Sequence, residues 1–325
     1  MAWAVRVHET GGPEVLRWEE VAVGEPGPGE VRLQQTAVGL NFLDIYHRAG
    51  THHMPLDPLP AIPGVEGAGV VDAVGDGVDH VAPGDRVAYA ITVGAYADAR
   101  LVPADQLVKL PDGISDQTAA AIMLKGLTAA HLLRDIAKLS AGDTILIHAA
   151  AGGVGLIACQ WAKHLGATVI GTVGSDAKAE LVARYGCDHA IIYTRENFPD
   201  RVKDITGGRG VDAVLDSVGK DTFLGSLASA GPGASVASFG LASGPLPAFG
   251  FADMPLLVSL CRASVRSVTD NRDTLLDHAA ALFDVVAQGH VKPVISKTYA
   301  LRDAGEAHVE MEARRTTGSI VLIPD

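Results

Sequence analysis

The stretch that decides the fold is Thr144-Ile145-Leu146-Ile147-His148-Ala149-Ala150-Ala151-Gly152-Gly153-Val154-Gly155, continued by Leu156 to Leu165 and closed by Gly166. An apolar run, a cluster of small residues and a longer apolar segment read as a buried strand, a tight turn and the first turns of a helix. A turn that holds a dinucleotide needs small residues at three places: to tighten the turn, to admit the pyrophosphate to the backbone, and to let helix and strand pack closely. Ala150, Gly152 and Gly155 stand there. The N–H groups at the helix start, with the helix dipole behind them, would then bind phosphate. An ordinary strand-to-helix connection uses the same residues, so the flanking sequence has to decide. Between Asp143 and Lys163 the run is long enough to raise a membrane helix. Three glycines at its centre, with His148 and Gln160 inside, argue against one.

Outward from this stretch the period is strand, helix, strand. Strands are expected at Thr168 to Val173, His189 to Thr194, Val211 to Ser217 and Ser235 to Phe239. Helices are expected near Asp176 to Tyr185, Asn197 to Ile205 and Thr222 to Leu227. Such alternation means a parallel, doubly wound sheet. Upstream, a cap-competent Ser115 opens two helical patterns, roughly 116–122 and 126–139. Residues 1 to about 110 carry short alternating runs at Val31 to Val38, Gly67 to Val74 and Arg86 to Ala90, with turns at Gly75-Asp76-Gly77 and Pro83-Gly84-Asp85. Downstream come an apolar stretch near Met254 to Leu260, an edge strand expected at Ser264 to Val268, an amphipathic helix at Asp273 to Gln288, and strand character at Ile295 to Leu301 and Gly318 to Ile323. The fold class expected is α/β: a β-rich domain, 1–124 rejoined by 290–325, and a dinucleotide-binding Rossmann domain, 125–289.

The chain has 325 residues, 48% hydrophobic and 20% charged, enough to bury two cores. A formal net charge of -12 speaks against nucleic acid or an anionic membrane as the main partner. Cys159, Cys187 and Cys261 form no metal-spaced pair, and the first residues alternate like a strand rather than a secretory signal. A reduced, cytoplasmic protein is the expectation.

A sheet that binds NAD usually carries Asp or Glu at the end of its second strand, to hold the ribose 2′-hydroxyl. Here that zone is Thr172-Val173-Gly174-Ser175, with Lys178 one helical turn on. Without a carboxylate to repel a 2′-phosphate, and with a hydroxyl and a cation on offer, NADPH is favoured over NADH. Lys178 also has a plain reading as a solvated helix residue.

These segments together resemble the medium-chain dehydrogenase/reductases, and within them the zinc-independent quinone oxidoreductases of the zeta-crystallin type. The resemblance is carried by Gly11-Gly12-Pro13-Glu14-Val15-Leu16, Gly39-Leu40-Asn41-Phe42-Leu43-Asp44, Gly67-Ala68-Gly69-Val70-Val71, Gly84-Asp85-Arg86-Val87, Leu124-Lys125-Gly126-Leu127-Thr128, His148 to Gln160 and Asp216-Ser217-Val218-Gly219. It spans nearly the whole chain and implies a GroES-like catalytic domain beside the Rossmann domain. The zinc alcohol dehydrogenases have similar stretches, with a cysteine where Asn41 stands and a histidine where Val65 stands. A catalytic zinc needs three protein ligands, and Glu66 alone cannot hold it. No metal is therefore expected.

The resemblance implies NADPH as donor and a quinone as acceptor, with an enone or alkenal as the alternative. A non-catalytic NADPH-binding or RNA-binding crystallin-like protein is the rival of another class. Asn41, Asp44, Tyr46 and Lys125 would be catalytic, with Asn41 and Tyr46 facing nicotinamide and acceptor. Lys125 and Thr128 would sit by the nicotinamide ribose or amide. Gly152, Gly153, Val154 and Gly155 would cradle the pyrophosphate, and Gly174, Ser175, Lys178 and Tyr193 the adenosine 2′-phosphate end. Ser217, Phe239, Gly240 and Leu241 would line the cofactor, and Arg314 would close over it. His52, in Arg48-Ala49-Gly50-Thr51-His52-His53, would stand in the substrate mouth. Each has a plain alternative: Asn41 and Asp44 as turn and cap residues, Tyr46 and Tyr193 as packing residues, Lys125 as a link between two helices, His52 as a polar lip. A homodimer is expected, with the strand at Ser264 to Val268 as a candidate subunit contact.

Overall fold

The computed structural model describes residues 1–51, 56 and 58–324. Packing divides the chain into two units, Met1–Lys125 with Arg266–Phe283 and Pro293–Asp325, and Gly126–Val265 with Asp284–Lys292. The boundaries expected from sequence differ from this division chiefly over Arg266–Phe283.

The first unit is built on one long strand, Glu30–Leu40. Eleven residues at ~3.3 Å each are long enough for two partners along one edge. Glu30 to Gln34 pair with Ala99–Pro103, and Val38 to Leu40 pair with Leu322 to Ile320 of the C-terminal strand. Glu66–Val74 covers the other edge, followed by Arg86–Ala90 and Val108–Lys109, all antiparallel. The strand Ile295–Ala300 completes the sheet in parallel with Ser319–Ile323. A separate ribbon pairs Ala2–Val7 with Leu16–Val21. The inward residues, among them Leu33, Leu40, Val71, Tyr89, Tyr96, Ala307 and Leu322, form one buried core. Straight out of Leu40 comes the helix Phe42–Ala49, started by a capping box of Asn41 and Asp44 and ended by Gly50 at φ 70°.

The second unit carries six parallel strands in the order His189–Ile192, Thr168–Val173, Thr144–Ile147, Val211–Asp216, Ala230–Ser238, Ser259–Arg262. The chain starts in the middle, winds to one edge, then returns and winds to the other. Ligands bind such sheets at the carboxyl ends where the direction reverses. Here that point lies between Thr144–Ile147 and Val211–Asp216, so the turn after Ile147 and the loop after Asp216 flank it. Leu146, Ile170, Ile191, Val214, Phe223 and Val236 are buried in the core between this sheet and its helices.

Two expectations are corrected. The two helices at 116–122 and 126–139 are one helix, Asp116–Ala130, which continues as a π-helical stretch, His131–Ile136. Gly126 costs about 1 kcal/mol in a helix interior, and the burial of Ile122, Met123, Leu127, Ala129 and Ala130 along it outweighs that. The edge strand is Ser259–Arg262, not Ser264 to Val268, and Arg266–Thr269 is helical. The buried pair Val265 and Val268 is spaced by three, a helical interval rather than an alternation.

Candidate active site

In the first unit, strand and helix ends gather a buried polar cluster. Glu66 is fully buried at the start of its strand. Its Oε2 accepts from Lys125 Nζ at 2.7 Å and from Asn41 Nδ2 at 2.9 Å, and its Oε1 from the Leu124 N–H at 2.7 Å. A buried carboxylate requires such partners, and Lys125, itself 5% exposed, is its countercharge. Lys125 is thus neither solvated nor a link between two helices. Asn41 spends its side-chain N–H groups on Glu66 and on the Gly39 carbonyl. Tyr46 lies one turn along the helix, half-buried, its ring 6.2 Å from that of exposed Phe42.

Asp44 is also fully buried. Its Oδ2 accepts from the Asn41 N–H at 2.9 Å and from Tyr96 OH at 3.0 Å, while Oδ1 has no partner among the described residues. Burial pushes its carboxyl up to about 7, against the pull of those two hydrogen bonds and of Lys125. Behind Tyr96, His308 Nε2 lies 2.9 Å from the hydroxyl and His308 Nδ1 lies 3.2 Å from Arg48 Nη1. Arg48 also clasps Glu312 through two hydrogen bonds, of 2.7 and 3.1 Å, and the Gly11 carbonyl at 3.1 Å. Burial and the Arg48 guanidinium hold the His308 imidazole down to about 3, so it is neutral at physiological pH.

In the second unit, Ala149 takes φ 50° and its carbonyl closes the turn onto the Gly152 N–H at 2.8 Å. Gly152 caps the helix Gly153–His164 with no side chain to accept from its first N–H groups. Those donors, at the dipole's positive end, fit the pyrophosphate of a dinucleotide. A Cβ at Gly155 would stand 2.5 Å from the Ala149 carbonyl oxygen and 2.7 Å from Ala150 Cα, so only glycine allows this close packing. Beneath the turn, Ser226 Oγ donates to Asp216 Oδ2 at 2.7 Å, which leaves its lone pairs for His148 Nε2–H at 3.0 Å. His148 Nδ1 then accepts from Thr172 Oγ1 at 2.9 Å. Burial lowers the imidazole's pKa. The Asp216 Oδ1 holds the Val218 and Gly219 N–H groups, so one network fixes both loops at the reversal point.

At the adenosine end, Ser175 is exposed and caps the helix Asp176–Arg184. Lys178 is half-buried on that helix, and the Tyr193 hydroxyl lies 3.0 Å from where a Gly174 Cβ would stand. Arg195, which the sequence reading misses, grips Asp176 with hydrogen bonds of 2.5 and 2.9 Å and holds its carboxyl below the usual range. Asp176 is thus the countercharge of Arg195. Phe239 continues the strand Ala230–Ser238 through a bond from its N–H to the Asp216 carbonyl. Gly240 and exposed Leu241 lead into the loop whose Ala242 and Ser243 bond to Ser217 and Val218. Thr128 is buried on the long helix, and Arg314 is exposed at φ 56° just beyond the helix Ala304–Glu312. His52 lies outside the described residues.

Tyr96, His308, Arg48 and His148 also escape the sequence reading. Arg48 is tied to Gly11 of the Gly-Gly-Pro motif, which takes its side-chain bond and gives its own N–H to the Arg48 carbonyl at 3.0 Å, but the two lie 37 positions apart and no local pattern joins them. For Tyr96 and His308, 212 positions apart, there is none.

Residues 27–112 match the alcohol dehydrogenase GroES-like domain and residues 153–281 the zinc-binding dehydrogenase family. The chain is 46% identical to a quinone oxidoreductase of Pseudomonas aeruginosa, all of both chains covered. It is 45% identical to a 2-haloacrylate reductase of a Burkholderia species, covering 100% of this chain and 99% of the relative. The crystal structure of Escherichia coli quinone oxidoreductase complexed with NADPH superposes with a TM-score of 0.95 at 40% identity, covering 99% of this chain and 100% of that one. Zinc, which one of these family descriptions names, does not fit the donors around Glu66. Val65 is apolar, the Asn41 amide donates, and Glu66 is already saturated by Lys125, Asn41 and Leu124.

Proposed function

This chain belongs to the quinone oxidoreductases of the medium-chain dehydrogenase/reductase superfamily, and from that membership we propose that it reduces quinones with NADPH, without a metal. The observation that carries the reading is the second unit's dinucleotide site: a helix start with open N–H donors, and Ser175 and Lys178 after the second strand, where the adjacent acid, Asp176, is already bound by Arg195 from beyond the next strand. NADPH bound there supplies the hydride. Gly152, Gly153, Val154 and Gly155 would take the pyrophosphate, and Gly174, Ser175, Lys178 and Tyr193 the 2′-phosphate end. Thr128, Ser217, Phe239, Gly240, Leu241 and Arg314 would line the rest of the cofactor. Asn41, Tyr46 and Lys125 would stand around the acceptor, with the Tyr46 hydroxyl and the Lys125 ammonium, rather than the Asn41 amide already spent on Glu66 and Gly39, offered to the negative charge that reduction places on its oxygen.

The test is oxidation of NADPH and of NADH with 1,4-benzoquinone in the presence of a chelator. Chelator-resistant turnover preferring NADPH is expected, and loss of turnover to the chelator would overturn the metal-free site. The likeness to a 2-haloacrylate reductase supports a second reading, reduction of an alkene conjugated to a carboxyl or carbonyl group. Initial rates on 2-chloroacrylate, on an enal and on benzoquinone separate the two.

A homodimer in the cytoplasm belongs to the same proposal. Among the described residues the edge strand Ser259–Arg262 is paired on one side alone, and Leu256 and Leu257, just before it in the chain, are 87% and 80% exposed. An open edge flanked by apolar side chains suits a second copy of the chain. Sedimentation should show a dimer that Leu256→Asp with Leu257→Asp makes monomeric.

A further inference from the structure

The hydrogen bonds around Asp44 have a direction. Arg48 has only donors, so the His308 Nδ1 that faces it must accept, and the proton of this neutral imidazole sits on Nε2. Nε2–H therefore donates to the Tyr96 oxygen, and the Tyr96 hydroxyl, whose own ionisation burial pushes far up, donates to Asp44 Oδ2. With the Asn41 N–H on the same oxygen, Oδ2 is held as an acceptor. The chain ends in a guanidinium that does not release its protons, so it works as a clamp rather than a conduit. Oδ1, buried and without a partner among the described residues, is the one oxygen left for a proton.

We infer that Asp44 is the proton store of the reductase, and that Tyr96 and His308 are positioning residues which confine its proton to Oδ1. This rests on the reading of the chain as a quinone reductase. A hydride brings two electrons and one proton's worth of hydrogen to the quinone, giving the hydroquinone monoanion. A second proton completes the hydroquinone. That proton comes from Asp44: the O–H bond at Oδ1 breaks, the O–H bond of the product forms, and solvent later returns a proton to Oδ1. The charged groups around Asp44 agree with a neutral acid. Glu66 and Lys125 already balance each other, Arg48 on the same helix is balanced by Glu312, and His308 is neutral, so an ionised Asp44 would be a surplus buried charge. His47, three residues on along the same helix, is buried as well.

The experiment pairs two readouts on the full chain. Infrared spectra should show a protonated-carboxyl carbonyl band that fades as pH rises through about 7. Asp44→Asn should lack the band. Tyr96→Phe, which removes a hydrogen bond favouring the carboxylate, should keep it to higher pH. In kinetics with NADPH and benzoquinone, kcat should fall about tenfold per pH unit above that pH, by one-proton titration. That limb should move up with the band in Tyr96→Phe and vanish in Asp44→Asn, with KM little changed. A wild-type limb surviving in Asp44→Asn, or a spectrum without a titrating band, overturns the inference. If no quinone is reduced at any pH while the band behaves as described, the acceptor assignment has failed and the placement of the proton stands.

Discussion

The glycine turn of the second unit and the polar cluster of the first are built by opposite means. The turn works with backbone: N–H groups at the start of Gly153–His164, a carbonyl that closes on Gly152, and a glycine that must have no side chain. The cluster works with side chains brought from positions 41, 44, 48, 66, 96, 125 and 308. A backbone site needs only absence of bulk and costs the core little. A side-chain site buries charge, and each member is tied to the stability of the others. Damage to the cluster should therefore cost stability first, and damage to the turn should cost cofactor affinity first.

The largest effect is expected at Lys125. Lys125→Met leaves Glu66 as a buried, uncompensated carboxylate, and removing one member of such a pair costs about 3–5 kcal/mol. Glu66→Gln added to it should restore most of the loss, because a neutral amide needs no countercharge. Urea unfolding of the single and double variants measures both. A single variant as stable as the parent would break the distinction between the two sites.

The same cluster holds two groups with opposite pH dependence. Asp44 is raised from 3.8 to about 7, so the folded chain keeps a proton that the unfolded chain releases. Stability from this group is full below about pH 4 and declines as pH rises to about 7, by about 4 kcal/mol at ~1.4 kcal/mol per unit. His308 is lowered from 6.5 to about 3, so its contribution is full above pH 6.5 and declines as pH falls. Between about pH 4 and 6.5 the two slopes cancel. Asp44→Asn should expose a stability that rises with pH over this range, and His308→Gln one that falls. Urea midpoints against pH for both variants give the answer, and two flat profiles would show that neither group titrates as its burial demands.

How much of this the sequence discloses follows from the same contrast. The turn, the strand–helix alternation and the missing acid at Gly174-Ser175 are local patterns, legible because the physics behind them is local. Asn41, Asp44 and Lys125 are visible as residue types in a motif, but Lys125 reads equally as a solvated link until Glu66 is found against it. Tyr96 and His308 leave no trace, since a hydrogen bond between residues far apart in the chain has no period. The misplaced edge strand at Ser264 to Val268 is a different failure: its two buried valines are spaced by three, a helical interval, but so short a segment offers no further repeat to set that interval against an alternation.

On the turn itself, Gly155→Ala should weaken NADPH binding by about a hundredfold or more. Its new Cβ would stand 2.5 Å from a backbone oxygen, and no side chain can move aside to relieve that. Gly152→Ala, whose Cβ would meet the same oxygen at 3.2 Å, should cost far less. Fluorescence titration with NADPH ranks them. A loss of stability at Gly155 larger than the loss of affinity would show that the turn is a packing device first.

The smallest effect expected is also the most specific. Arg195 is exposed and bound to Asp176, one residue beyond the Ser175 cap, with Tyr193 lying over Gly174. Its bidentate partner fixes the guanidinium beside the proposed 2′-phosphate position. Arg195→Ala should therefore raise KM for NADPH about tenfold, the usual order for one charge-assisted hydrogen bond, and leave KM for NADH unchanged. Asp176→Asn removes the grip but not the cation, so it should weaken NADPH less than Arg195→Ala does. If instead both variants change NADH and NADPH alike, the pair only braces the strand end, and the preference for NADPH rests on Ser175 and Lys178. In the proposed cofactor site of the second unit, charged side chains are offered to the ligand here, whereas the turn at Gly152 offers backbone alone. It is also the place where the motif around Gly152 gives no guidance.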